Sequence, residues 1–317
     1  MASDRPRRNN NNDSNQSYDR RWDEGAGHIN LRRDWDFKLH ESTSKWDIDA
    51  LNKLHVRVTE VDNILQVFPN FDINNDLQGK FAELVVHNWN TEKFQQCVNL
   101  DRLMREEDNI NVEVKGIIWK LAGVLRDLSA ENQVDYFVQS LLTFLGFDTL
   151  PYQCYPKPKK TLNVLDKKIT TIPDFLITYK DKYILEVVES KTRINDSLQN
   201  DANDPQVCGE MLISLTESTD HMLRMRGIDN PDIHTPIPSR AVKVTSSSFT
   251  FYYSQIPFGY FKNLTRGIIN DSDRIEVFKW PKYNFRRGTT LDFTDPNDRI
   301  IILKILQHLY HSVKDVQ

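Results

Sequence analysis

Glycine is scarce, with 11 in 317 residues, and no Gly-rich phosphate loop, Gly-x-Ser-x-Gly elbow or His-Glu-x-x-His helix is spelled out. Those absences set aside P-loop nucleotide chemistry, nucleophile-elbow hydrolysis and zincin chemistry. Cysteine is scarcer still. Cys97, Cys154 and Cys208 are an odd set, far apart, with no spacing suited to a zinc site or a disulfide framework. Reduced thiols in a reducing compartment are therefore expected. No stretch approaches the ~20 consecutive apolar residues of a spanning helix, so no membrane association is expected. No apolar stretch follows Met1, so no secretory signal is visible. An intracellular protein, cytoplasmic or nuclear, is the expectation. Excess charge of one sign is also missing. The formal net charge of −4 argues against coating nucleic acid by bulk charge, although a local basic patch is enough to grip phosphates.

What is present reads as a globular chain long enough to bury a sizeable core. Residues 1–27 are polar and low in complexity, with an asparagine run at Asn9 to Asn12. They bury too little apolar surface to offset the entropy of ordering, so a disordered tail is expected. Residues 28–128 read as a mainly helical region. Its amphipathic stretches begin at Trp46, Phe81 and Ile117, and it carries no chemical motif. Residues 129–317 hold the rest.

That third segment opens with a helix. Val134, Phe137, Val138, Leu141, Leu142 and Leu145 recur at three and four residues and make one apolar face. Ser129 suits the N-cap and Gly146 the C-terminus. Glu131 and Asp135 are four apart and share a side. Strands are expected at Tyr152 to Tyr155, Thr171 to Tyr179 and Tyr183 to Lys191, the last two as an antiparallel hairpin. A helix from about Pro205 to Glu217 carries Gln206. Further strands follow near Ala241 to Thr245, Phe249 to Tyr253 and Ile275 to Trp280. A final helix starts at Pro296 with Asp295 as its cap. His308 and His311 lie three apart on it, without an accompanying acid or cysteine pattern.

The chemistry concentrates on the hairpin. Glu189 and Lys191 are two apart on a strand and share a face. If Asp181-Lys182 is a two-residue turn, Lys180 pairs with Tyr183 and Asp174 lands opposite Glu189; a three-residue loop shifts this by one. Two carboxylates facing each other at the end of an apolar hairpin repel. A hard divalent cation, magnesium or manganese, relieves that repulsion. Lys191 beside them supplies a positive charge to orient a water or to stabilise an oxyanion. Those parts suit phosphodiester hydrolysis.

Ile172-Pro173-Asp174-Phe175, followed by Val187-Val188-Glu189-Ser190-Lys191, resembles the signature of the PD-(D/E)xK, or restriction-endonuclease-like, nuclease superfamily. More narrowly, it resembles uncharacterised fungal proteins of this type, some related to the nuclease modules of Crinkler-type effectors. Glu131 to Phe137 matches their acid-led helix, and Pro205 to Met211 their later Pro-Gln element. The resemblance covers roughly residues 129 to 265. It implies an α/β fold, a restriction-endonuclease-like core with a mixed central sheet flanked by helices. It also implies a divalent-metal-dependent endonuclease, with DNA favoured over RNA. By position, Asp174 and Glu189 become metal ligands and Lys191 the catalytic lysine. Glu131 is the acid of the first helix, with Asp135 as its rival, and Gln206 lines the site. Lys157, Lys159, Lys160, Lys167, Lys168 and Arg193 are candidate phosphate contacts. Homodimerisation, as in many members, and a protein partner for the helical N-terminal region are further expectations. The alternative function is a nuclease fold without cleavage, acting as a nucleic-acid- or protein-binding effector.

Overall fold

The computed structural model describes residues 29–30, 39–106, 109–165, 167–180, 182–188, 204–216, 219, 223, 228, 232–269, 273–282 and 290–312. The expected tail, residues 1–27, lies outside them, as do Glu189, Lys191 and Arg193.

The helices are α1 (Ile48–Lys53), α2 (Gly79–Glu83), α3 (Thr91–Gln96), α4 (Leu100–Glu106), α5 (Val112–Arg126), α6 (Glu131–Leu145), α7 (Asp204–Thr216), α8 (Phe258–Thr265) and α9 (Pro296–Ser312). The strands are β1 (Ile29–Asn30), β2 (Val56–Glu60), β3 (Tyr152–Pro156), β4 (Lys160–Val164), β5 (Lys167–Thr171), β6 (Phe175–Tyr179), β7 (Lys182–Val188), β8 (Pro236–Thr245), β9 (Ser248–Pro257), β10 (Ile268–Ile269), β11 (Ile275–Trp280) and β12 (Leu291–Asp292).

Helix α6 forms for the reason its spacing suggests. All six residues of the apolar stripe, from Val134 to Leu145, are buried. Gly146 ends it at φ 90, a conformation that costs glycine little, and its N–H donates to Thr143 O at 3.1 Å. The N-terminal cap differs from expectation. Ala130 occupies that position, while Ser129 turns back on Asp127, donating from its N (3.1 Å) and Oγ (2.7 Å) to Asp127 Oδ1. A nearer carboxylate captures the serine, and these bonds hold the Asp127 carboxyl below its ordinary range. Helix α9 behaves as expected at its start: Asp295 Oδ1 accepts from Asn297 N and Asp298 N at 2.8 and 3.0 Å.

The main sheet runs β2-β11-β9-β8-β7-β6-β3, with β12 pairing on β9. It is mixed: β2 with β11 and β7 with β8 are parallel, and the other pairs are antiparallel. The fold is thus mixed α/β. In chain order, α6 leads into the antiparallel meander β3, β6, β7. Helix α7 then crosses over to β8, parallel to β7. A smaller hairpin, β4-β5, interrupts the meander between β3 and β6. Alternation sorts the side chains of the sheet into two apolar layers. Phe249, Phe251 and Tyr253 of β9 and Val242 and Val244 of β8 face α5, α6 and α9. Tyr252, Ile256, Ile237 and Ala241 face α1, α7, α8 and the β4-β5 hairpin.

Among its described residues the 28–128 region is mainly helical, α1 to α5, with two short strands, β1 and β2. Val56–Glu60 is a strand on the outer edge of the sheet, where Val56 pairs with Ile275 and Val58 with Val277. Alternating β-branched residues favour it, but its partner is over two hundred residues away in sequence. The region also shares one apolar cluster with the rest of the chain: Phe68, Trp89, Ile117 and Leu121 pack with Phe137, Phe251 and Leu306. Arg299, fully buried on α9, fastens the two parts. Its guanidinium donates to Phe293 O (3.1 Å), Val86 O (3.1 Å), Val85 O (3.3 Å) and Trp89 O (2.6 Å). Burial pushes its pKa down to about 10.

Candidate functional site

Pro173-Asp174 sits between β5 and β6, and Asp174 is only 5% exposed. The hairpin register differs from the one expected. Tyr179 pairs with Lys182, and a bulge beyond Thr178 and Tyr183 then brings Phe175 opposite Val187. Asp174 immediately precedes this ladder; one further step would set it against Val188, the residue before Glu189. Lys180 takes up a left-handed conformation, φ 48, ahead of β7; the ladder starts two places from the expected register, and the extra residue in β7 takes back one of them. Glu189 and Lys191, the other two members of the motif, lie outside the described residues.

Asp174 is joined to α6 through Lys157, just after β3. The Lys157 ammonium lies 3.0 Å from Asp135 Oδ2 and 3.9 Å from Asp174 Oδ1. Its backbone N–H donates to Asp174 O at 2.8 Å. Lys157 adopts φ 47, a strained conformation for a side-chain-bearing residue, costing about 1–2 kcal/mol. Two carboxylates from separate elements thus share one cation. With Lys157 62% exposed, solvent screens the pair with Asp135, which is worth at most about 1 kcal/mol. Its consequence is positional: it sets the Asp135 side chain towards Asp174. Glu131, one helical turn earlier, is exposed. Tyr136, Tyr155 and Ile172, near Asp135, Lys157 and Asp174 in sequence, are exposed, as is Lys159; Lys167 and Lys168, also exposed, sit at the turn end of the β4-β5 hairpin, away from the Thr171 end that leads to Asp174. Lys160 is half-buried.

Gln206 is buried on the first turn of α7, where its Nε2 donates to Glu210 Oε1 at 2.9 Å. It belongs to a polar layer beneath that helix, which sequence reasoning missed. Asp204 Oδ2 is 2.9 Å from Lys279 Nζ of β11, and Tyr252 of β9 donates its hydroxyl to Asp204 Oδ1 at 2.7 Å. Glu60 of β2 lies 3.7 Å from the same ammonium. Lys243, 7% exposed on β8, pairs with Val188 on one side and Thr250 on the other. Through Asp204, Lys279 and Tyr252 anchor the start of α7 to the sheet. A signal for two of these buried side chains existed: Lys243 lies within an apolar run, and Lys279 keeps the strand phase of Ile275 and Val277, so both had to face the core.

The donor set at Asp174 suits a hard cation, since Asp135 and Asp174 offer carboxylate oxygens. Among the described residues no group of three or more His, Cys, Asp and Glu side chains converges as a metal site. Cys97, Cys154 and Cys208 carry no disulfide, and burial pushes the Cys154 thiol up to about 12. No helix among the described residues is long and apolar enough to cross a membrane.

No protein-family model matches the chain, and no curated protein matches it.

Proposed function

We propose that this chain is a divalent-metal-dependent nuclease of restriction-endonuclease-like architecture, cleaving phosphodiester bonds in nucleic acid, DNA before RNA. The observation that carries the reading is the meeting of Asp174 and Asp135 on the Lys157 ammonium. A buried strand-end carboxylate and a helix carboxylate are brought to one point, at the end of the hairpin whose sequence continues into Glu189 and Lys191. The order of α6, β3, β6, β7, α7 and β8 supports the same reading, because it follows the acid-led helix, hairpin and Gln-bearing helix of the resemblance. So does the strained backbone of Lys157, since such conformations gather at functional sites.

In this reading Asp174, Glu189 and Asp135 hold magnesium or manganese, with Asp135 taking the place of the more exposed Glu131. A bound ion supplies Lewis-acid activation of water and neutralises phosphate charge. Lys191 orients the attacking water and balances charge developing on the phosphate. Lys157 leaves the carboxylates to contact a phosphate oxygen. Exposed Lys159, Lys167 and Lys168 draw in the polymer backbone, and exposed Tyr136 and Tyr155 offer stacking faces to bases. Gln206, bonded to Glu210 within α7, is buried close in sequence to the Asp204 anchor.

The test is cleavage of single- and double-stranded DNA and RNA with magnesium, manganese or EDTA, using wild type, Asp174→Asn, Lys191→Ala and Asp135→Asn. Metal-dependent cleavage that falls by about a hundredfold or more in all three variants is expected. A folded wild type that binds nucleic acid but leaves it intact under every condition would replace the nuclease with the non-cleaving binding module.

A further inference from the structure

At the opposite end of β8 from Lys243 lies a cleft of about 580 Å³. Its walls are the 69–75 chain, the start of β8, the end of β9 and the last turns of α9. The volume falls within the range of small-molecule sites, and the cleft is open to solvent along one side. Its lining carries Arg240, Lys304, His308 and His311 against the single carboxylate Asp72, with the amides Asn70, Asn75, Gln255 and Gln307, which both donate and accept, around them. Pro69, Pro236 and Pro238 add apolar faces.

The walls are built in place. Arg240 stands over the Tyr253 ring, 5.6 Å from its centroid, and Gln255 Nε2 donates to the Tyr253 hydroxyl at 2.9 Å. The His308 ring packs edge-on against Phe71 and Phe68, with centroids 5.6 and 6.3 Å away. Gln307 accepts from Gln78 N (2.7 Å) and donates to Asp76 O (2.9 Å), while Lys304 Nζ donates to Ile73 O. These bonds tie the loop wall to α9.

We propose that this cleft is a second ligand site, for a small phosphate monoester of nucleotide size. Arg240, His308 and His311 would take the phosphate, and the proline-lined wall its organic body, since a bare phosphate fills only a small part of the volume. The titratable groups that line the cleft with His308 are Arg240 from β8, Tyr253 from β9, Asp72 from the loop, and Lys304 and His311 from its own helix. Burial, then Arg240 and His311, push the His308 pKa down. An anion held among them reverses the last two effects, so binding takes up a proton.

The experiment is calorimetric titration of the full chain with adenosine 5′-monophosphate and with inorganic phosphate. A sulfate series from pH 8 to pH 6 accompanies it, because sulfate keeps its charge across that range. The monophosphate should bind saturably with a Kd of about 1 mM or tighter, and inorganic phosphate more weakly. Sulfate should tighten about three- to tenfold on acidification. Arg240→Gln should weaken the monophosphate about tenfold or more. His311→Gln, at an exposed position, should weaken it at pH 6 without moving the unfolding midpoint. Absence of saturation, or equal affinity in both variants and wild type, overturns the site. Equal affinity for phosphate and the monophosphate overturns the organic subsite. Loss of binding in Lys157→Ala but not in Arg240→Gln overturns the proposal by placing the anion at the Asp174 site.

Discussion

Removing Lys279 should destabilise the protein more than removing both members of its buried pair with Asp204. Lys279 is 2% exposed and Asp204 6%, and their charged atoms are 2.9 Å apart. In Lys279→Met the Asp204 carboxylate keeps the Tyr252 hydroxyl at 2.7 Å but loses the cation that neutralises it. Breaking one side of a buried pair costs about 3–5 kcal/mol. Asp204→Leu should fall at the lower end of that range, because Lys279 retains Glu60 at 3.7 Å, whose side chain is 31% exposed. In Lys279→Met with Asp204→Leu neither charge is stranded, and the loss should be about 1–2 kcal/mol, largely the Tyr252 hydroxyl left without its acceptor. The singles would then sum to far more than the double, a coupling of about 3 kcal/mol or more. Urea unfolding at neutral pH, followed by circular dichroism and tryptophan fluorescence, measures all four proteins. If the double variant loses the sum of the singles within about 0.5 kcal/mol, the pair is not a coupled unit and the account of the α7 anchor fails.

Arg299→Met should cost about 3–5 kcal/mol in the same assay, since it strips the donor from buried carbonyls at Val85, Val86, Trp89 and Phe293. Arg299→Lys should recover only part of that, because one ammonium does not span the fork; a lysine variant as stable as wild type would sink the clamp. Stability should also depend on His308. Its folded pKa lies below the ordinary 6.5, so the unfolded chain binds the extra proton first. The contribution is therefore present above pH 6.5 and is lost as pH falls towards the folded value. His308→Gln should flatten this acid limb of the unfolding midpoint measured from pH 8 to pH 5, and an unchanged limb would count against it.

Local chemistry made much of this molecule legible. The α6 stripe, the glycine that ends it, the Asp295 cap and the strand at Ile275–Trp280 are each written in neighbouring residues, because helix and strand periods and caps act within a few positions. The β2 strand and the β4-β5 hairpin were not read. The first depends on an edge offered by Ile275–Trp280 far along the chain, and the second on packing of Leu162, Val164 and Ile169 beneath α7 and α8.

The sequence by itself determined which acids and lysines were available, and it placed Asp174 on the hairpin and Glu131 and Asp135 on one side of a helix. Only the tertiary structure decided that Asp135 shares the Lys157 ammonium with Asp174 while Glu131 stands exposed, because two residues on one side of a helix differ in depth only once a neighbour is docked there. It likewise decided the hairpin register, through a bulge that no turn motif announces, and the pairing of Asp204 with Lys279. A charged side chain can enter the core only where folding supplies its partner, and that partner lies on another strand.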